Sequence, residues 1–218
     1  MRYVDLSHVV RSGMVTYPGL PEPEIGLHLA FDESHGTYAA GTEFQIGRIS
    51  MVGNTGTYLD TPAHRYRDGH DLAGLALERC AGLPAVVVRA AGLGHALDAG
   101  VLAGLDLTGR AVLVHTGWDE HWGTERYLDA DHPHLTDDAC RALVAGGAAL
   151  VGIDSVNIDD TVGRARPAHT VLLGAGIPVV EHLTGLGGLP DTGAVFTAVP
   201  VAVEGLATFP VRAFATVD

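Results

Sequence analysis

Two short runs, Val86-Val87-Val88 and Val112-Leu113-Val114, are apolar at every position instead of at every second one. Side chains of a strand alternate between its two faces, so an unbroken apolar run needs cover on both. That demand restricts the chain to a sheet enclosed between other layers. The spacing predicts strands over Pro84 to Arg89 and Arg110 to Thr116, and further ones over Tyr3 to Val9, Phe44 to Val52, Ala149 to Ile153, Ile177 to Glu181, Val195 to Val203 and Val211 to Val217. Helices alternate with them. Asp71 is placed to cap Leu72 to Ala81. Thr136 is placed to cap a helix through Val144, with Asp137 and Asp138 in its first turn and Gly146-Gly147 ending it. Pro167 opens a short helix that stops near Gly174 to Gly176. The expected fold is α/β, with central strands and outer helices, in one domain over residues 1–218.

Composition narrows the function classes. Hydrophobic residues make up 47% of the chain, enough for a sizeable core, yet no run approaches the roughly 18 apolar residues of a membrane-spanning helix. The opening Met1-Arg2-Tyr3-Val4-Asp5 lacks the basic-then-apolar layout of a signal peptide, so a cytoplasmic protein is expected. The net charge of −13 opposes a phosphate backbone, which argues against nucleic acid as a partner. There is no lysine, which removes Schiff-base and P-loop chemistry. Cys80 and Cys140 sit in helix-like segments and read as buried thiols.

Two polar clusters carry candidate chemistry. In the first, Gly53-Asn54-Thr55-Gly56-Thr57 reads as a loop, and Pro62 favours a helical turn that carries His64. Asp60 and His64 are then a carboxylate and an imidazole four residues apart, able to share a proton or a metal; Asp60 as a simple cap is the competing reading. In the second, His169 lies in the first turn of the Pro167 helix and Glu181 at the end of the following strand. The helix runs about 10 Å at ~1.5 Å per residue, and the strand returns roughly 13–16 Å at ~3.3 Å per residue. A tight reversal at Gly174 to Gly176 therefore brings His169 and Glu181 to one sheet edge, where α/β folds place their sites. A cap and a surface acid remain the bland alternative.

The run Asn54-Thr55-Gly56-Thr57-Tyr58-Leu59-Asp60-Thr61-Pro62-Ala63-His64 resembles the His-x-Gly-Thr-His-x-Asp-x-Pro-x-His signature of the cyclase family, which includes bacterial kynurenine formamidases and isatin hydrolases. The resemblance extends through Asp5-Leu6-Ser7, Gly13 to Gly19, Leu113 to Trp118, Gly152-Ile153-Asp154, the His169 and Glu181 pair and Val211-Arg212-Ala213. It implies a swivelling β/β/α domain, a homo-oligomer (dimer or tetramer), and hydrolysis of an amide, lactam or lactone carbonyl at a metal centre. It implies Asp60, His169 and Glu181 as metal ligands, His64 as general acid and base, and Tyr17 as a substrate contact.

Asn54 and Tyr58 stand where the signature has its first two histidines. A neutral amide or phenol is a poor zinc ligand beside imidazole, so the expected site is altered. Three readings follow. One divalent metal, zinc or manganese, is held by Asp60, His169 and Glu181; or Tyr58, Asp60 and His64 form a metal-independent acid–base network for a cyclase or dehydratase; or the chain is an inactive binding protein. In the active readings Tyr58 joins His64 as a catalytic candidate, and Asn54 and Trp118 join Tyr17 as substrate-binding candidates. Trp118 and Trp122 are equally readable as core anchors, and Arg65 and Arg67 as solvated or ion-paired. His182, next to Glu181, is expected on the opposite face. Asp154, Asp159 and Asp160 are expected to serve turns, with the orienting of a ligand by one of them as the alternative.

Overall fold

The computed structural model describes residues 1–218. In chain order its strands are β1 (Arg2–Asp5), β2 (Glu24–Leu29), β3 (Ile46–Ser50), β4 (Tyr58–Asp60), β5 (Leu83–Arg89), β6 (Ala96–Leu97), β7 (Ala111–His115), β8 (His134–Leu135), β9 (Leu150–Ile153), β10 (Val179–Glu181), β11 (Thr192–Thr197), β12 (Thr208–Pro210) and β13 (Phe214–Val217). The helices are α1 (Phe31–Ser34), α2 (Asp137–Ala145) and α3 (Pro167–Gly174). Nine strands form one sheet in the order β1-β13-β11-β5-β7-β9-β10-β4-β12. Its middle, β5 to β10, is parallel, and antiparallel strands extend it on both sides. The fold is α/β of the kind expected.

The apolar runs explain why the sheet is enclosed. Val86, Val88, Val112 and Val114 face a core that includes Leu143 of α2 and Leu172 of α3. Their neighbours Ala85, Val87, Ala111 and Leu113 face a second core with Leu6, Leu183 and Phe196. Each run thus supplies both cores in alternation, and a polar side chain at either register would be buried without a partner. No helix is long and apolar enough to cross a membrane.

Several local expectations change. Leu72 to Ala81 is not a helix: Asp71 Oδ1 accepts from Gly74 N at 3.0 Å, Leu72 N bonds Leu206 O, and only Leu77–Arg79 makes a single 3₁₀ turn. Gly74 within the segment weakens helix, and the backbone bond to Leu206 offers a better-packed alternative. Thr136 precedes α2 without capping it through its side chain, because its hydroxyl is engaged by Leu97 O and Asp138. The strand expected over Val195 to Val203 starts earlier and ends at Thr197. Tyr58–Asp60, for which the sequence predicts no element, is a fully buried strand.

β2 and β3 form a separate antiparallel hairpin. Ile25 pairs with Ile49, and Leu27 with Gly47, so the apolar side chains share one face while Glu24, Arg48 and Ser50 share the other. That apolar face is open: Ile25, Leu27 and Ile49 are each about half exposed.

Candidate active site

Strand β4 sits between β10 and β12, with Tyr58 opposite Glu181 and Pro210, and Asp60 opposite Val179 and Thr208. Residues two apart on a strand share a face, so Tyr58 and Asp60 project together beside Glu181 and Thr208. The loop leading into β4 runs close to β12: a Cβ on Gly53 would lie 2.2 Å from Thr208 O, so only glycine fits there. After β4, Pro62 starts a 3₁₀ turn that carries His64 back over the strand. From the other side, α3 presents His169 in its first turn.

These elements bring five sequence-predicted residues into contact. His169 Nε2 lies 3.6 Å from Asp60 Oδ2 and 3.7 Å from Glu181 Oε1. His64 Nδ1 lies 3.6 Å from Asp60 Oδ1 and 3.0 Å from Thr208 Oγ1, whose hydroxyl also bonds Asp60 Oδ1. Tyr58 donates its hydroxyl hydrogen to Glu181 Oε2 at 2.6 Å, and Ile158 N donates to Glu181 Oε1 at 2.6 Å. Asp60, Glu181 and Tyr58 are buried, whereas the His64 side chain is 34% exposed. Asp60 caps nothing.

Burial and charge set the protonation states. Burial alone would raise the Asp60 carboxyl, but His169, His64 and Thr208 outweigh it and hold Asp60 below its ordinary value. Burial raises the Glu181 carboxyl; the His169 charge opposes this and Asp60 reinforces it. The Tyr58 phenol is raised well above its ordinary value, first by burial and then by the Glu181 and Asp60 charges, so it stays a hydrogen-bond donor. For His169 burial acts downward, yet Asp159, Asp60 and Glu181 together raise its imidazole well above the usual range.

A divalent cation suits this donor set. Asp60 Oδ2 is buried and has no hydrogen-bond partner, a state that costs free energy unless something positive meets it. Asp159 Oδ2 lies 2.6 Å from His169 Nδ1, which fixes the ring and leaves Nε2 facing Asp60 and Glu181. A carboxylate on the distal nitrogen is the usual support for a metal-binding histidine. The 3.6 and 3.7 Å separations match donors sharing one metal, since ligands ~2.1 Å from a tetrahedral ion lie roughly 3.4 Å apart. The set whose donor atoms all lie within 4.8 Å of one another is Asp60, His64 and His169, and Glu181 joins it through His169. His64 faces the Asp60 oxygen already bonded by Thr208, so the unpartnered Oδ2 is the side that His169 meets.

A cavity of about 330 Å³ opens over this cluster, lined by Tyr58, His64, His169 and Glu181, with Tyr17, Leu20 and Asn54 around them and Arg65, Asn157 and Arg166 at its wall. Trp118 is not among the lining residues. It is buried against Tyr127 and Val156, with its Nε1 donating to Tyr127 O at 2.9 Å, and Tyr17 packs on that cluster. Its indole nitrogen finds its acceptor inside the fold, which makes it an anchor instead of a wall. His182 turns away from the cavity, with its ring near Trp122 and its Nδ1 2.9 Å from Tyr127 Oη. Arg67 lines a separate surface depression. Of the three aspartates, Asp154 and Asp160 serve turns through Thr116, Gly117, Val162 and Gly163. Asp159 instead holds His169. Nothing in Asn157-Ile158-Asp159-Asp160 separates the two adjacent aspartates; only the approach of α3 does. Thr208 and Arg166 also escaped sequence reasoning, because their partners lie across the fold.

The family model described as "Putative cyclase" matches residues 4–160, well over half of the chain. Among curated proteins, kynurenine formamidase of Bacillus cereus is 26% identical over 212 residues, covering 97% of this chain and 95% of the relative. Kynurenine formamidase of Salinibacter ruber is 28% identical, covering 98% and 96%. Among solved structures, isatin hydrolase A from Labrenzia aggregata, bound to benzyl benzoate, superposes with a TM-score of 0.84 at 25% identity, covering 99% of this chain and 93% of that one.

Proposed function

The chain belongs to the cyclase family, and on that premise we propose that it is a metal-dependent hydrolase of an amide, lactam or lactone carbonyl, with one divalent cation held by Asp60, His169 and Glu181. The observation that carries this reading is the buried, partnerless Asp60 Oδ2 facing a histidine nitrogen whose ring is fixed by Asp159. The similar kynurenine formamidases and isatin hydrolase A support the reaction class. When bound, a zinc or manganese ion supplies Lewis-acid polarisation of the carbonyl and acidifies water.

The chain's own residues do the rest. Asp60 and Glu181 supply negative charge in a buried setting, and His169 supplies a directed nitrogen. His64, half open to the cavity and anchored at Nδ1 by Thr208, moves a proton at Nε2 to the leaving nitrogen or oxygen. Tyr58 occupies Glu181 Oε2 with its hydroxyl, so this carboxylate turns only its other oxygen toward His169. That is the altered part of the site, and it favours one cation over two. Tyr17 and Asn54 border the space for substrate.

Elemental analysis of protein purified without chelators tests the reading. Close to one equivalent of zinc or manganese is expected, lost in His169→Ala, and His64→Ala should keep the metal while losing turnover. Absence of bound metal, with no uptake on addition, refutes it. The Tyr58 to Glu181 hydrogen bond supports a second reading, a metal-independent acid–base cyclase or dehydratase, and turnover unaffected by chelators would select it. Neither turnover nor metal, with ligand binding intact in His64→Ala, would mark an inactive binding protein.

The remaining expectations are read the same way. Residues 1–218 are taken as one cyclase-family domain acting on a small molecule. The free, buried Cys80 and Cys140 suit a cytoplasmic setting. The open hairpin face supports a homo-oligomer. A two-stranded ribbon is marginal alone, its Ile25, Leu27 and Ile49 are each about half exposed, and a second copy offers the same face.

A further inference from the structure

Two guanidinium groups border the active-site cavity without an acidic partner. Five other arginines pair with aspartates. Arg65 and Arg166 instead have neutral partners, in a chain carrying twice as many acidic as basic residues. Arg166 Nη1 donates to the backbone carbonyls of Asp160, Gly163 and Ala165 at 3.0, 2.7 and 2.9 Å. Its Nε and Nη2 are left without an acceptor. Arg65 Nε donates to Thr170 Oγ1 at 3.2 Å, leaving both of its terminal nitrogens without one.

Both side chains are therefore held in place by α3 and its leading loop while their charge stays uncompensated. They border the same cavity as Glu181, next to the buried Asp60. The cavity lining thus carries both charges, Glu181 together with two guanidinium groups. An anion is repelled by the carboxylates and met by the forked N–H donors of the guanidinium groups, which suit two carboxylate oxygens. Tyr17 and Leu20 add apolar surface, which suits a planar or aromatic body.

We propose that the substrate carries a carboxylate group distinct from the bond that is cleaved, and that Arg65 and Arg166 bind it, orienting the scissile carbonyl toward Asp60, His169 and Glu181. This rests on the reading of the cavity as a hydrolase site, but it is tested by binding alone.

Benzoate and its neutral isostere benzamide are titrated against the full-length protein and followed by calorimetry. Benzoate is expected to bind at least tenfold more tightly than benzamide. Arg166→Gln and Arg65→Gln should each weaken benzoate about tenfold and leave benzamide unchanged, and the double variant should erase the preference. Arg65 is exposed, so its variant keeps the test valid if the Arg166 loop is disturbed. His169→Ala should retain the preference. Equal binding of the two probes, a preference surviving in the double variant, or one lost in His169→Ala would each overturn the proposal; the last would place the carboxylate at the metal ligands. A preference that follows the arginines while no metal-dependent turnover exists would refute the hydrolase reading and leave carboxylate recognition standing.

Discussion

Replacing Asp159 with asparagine tests the support of the site directly. Asp159 is fully buried and accepts three hydrogen bonds: from Ala168 N at 2.6 Å and His169 N at 3.1 Å, and with His169 Nδ1 at 2.6 Å. It therefore satisfies the first turn of α3 and fixes the His169 ring at the same time. Asparagine has the same shape but only one acceptor oxygen. If that oxygen keeps His169, the amide NH₂ meets the Ala168 N–H, donor against donor. The loss is one charge-assisted hydrogen bond, about 1.5–3 kcal/mol, together with roughly 0.3–1 kcal/mol of favourable charge at a helix N-terminus. A total near 3 kcal/mol lowers Tm by about 6–12 °C in a chain of this length. With the His169 ring released, cation affinity should fall about 10–100-fold. Thermal melts in chelator measure the first effect, and competition with a chromophoric chelator the second. The neighbouring Asp160→Asn, whose bonds go to an exposed turn, is the control. A Tm loss under 2 °C with unchanged cation affinity would refute the claim that Asp159 holds both helix and histidine.

Three further outcomes follow from the geometry. Tyr58→Phe removes the 2.6 Å bond to Glu181 and should cost about 2 kcal/mol, or roughly 4–8 °C of Tm in chelator; turnover regained with excess metal would favour the hydrolase, and complete loss at any metal concentration the acid–base network. Asp154, fully buried, is raised to about 6, chiefly by burial and against the hydrogen bonds from Thr116 and Gly117. Its folded value exceeds the unfolded ~3.9, so its contribution to stability is full below pH ~4 and is lost as pH rises toward 6; the stability of Asp154→Asn relative to wild type should therefore improve by roughly 3 kcal/mol between pH 4 and 7, and a flat difference would contradict this. In the hairpin, Ile25→Asp with Leu27→Asp should convert the oligomer to monomer in light scattering while preserving the circular dichroism of the body; a wild-type chain that is already monomeric would refute the shared-face reading.

What the sequence disclosed, and what it hid, divides by range. The enclosed strands were legible because Val86 to Val88 and Val112 to Val114 state their environment in three residues each. α3 was legible because Pro167 marks its start. Leu72 to Ala81 misled, since its apolar spacing suits a helix while Gly74 and the bond from Leu72 N to Leu206 O favour turns. Strand β4 was hidden because three residues between a glycine-rich loop and a proline carry no period; it exists through pairing with β10 and β12. The same limit applied at the site. Asp60, His64, His169 and Glu181 were visible as residue types near sheet edges. Asp159 was visible only as one of three aspartates, and Thr208 and Arg166 not at all, because each acts on a partner brought to it by another element.

Tyr58 joins these two levels. As a strand residue it lies opposite Glu181, and that register is what lets its hydroxyl reach Oε2. A histidine at this position would present a lone pair or a titratable N–H to the same carboxylate. A phenol raised by burial presents a permanent donor. Glu181 is thereby turned so that Oε1 lies toward His169, while its other oxygen is already engaged. On the proposed reading, the change from imidazole to phenol does more than delete a ligand. It converts the position from one that would compete for a second cation into one that aims Glu181 at the first, leaving the room above Asn54 and Tyr17 to the substrate.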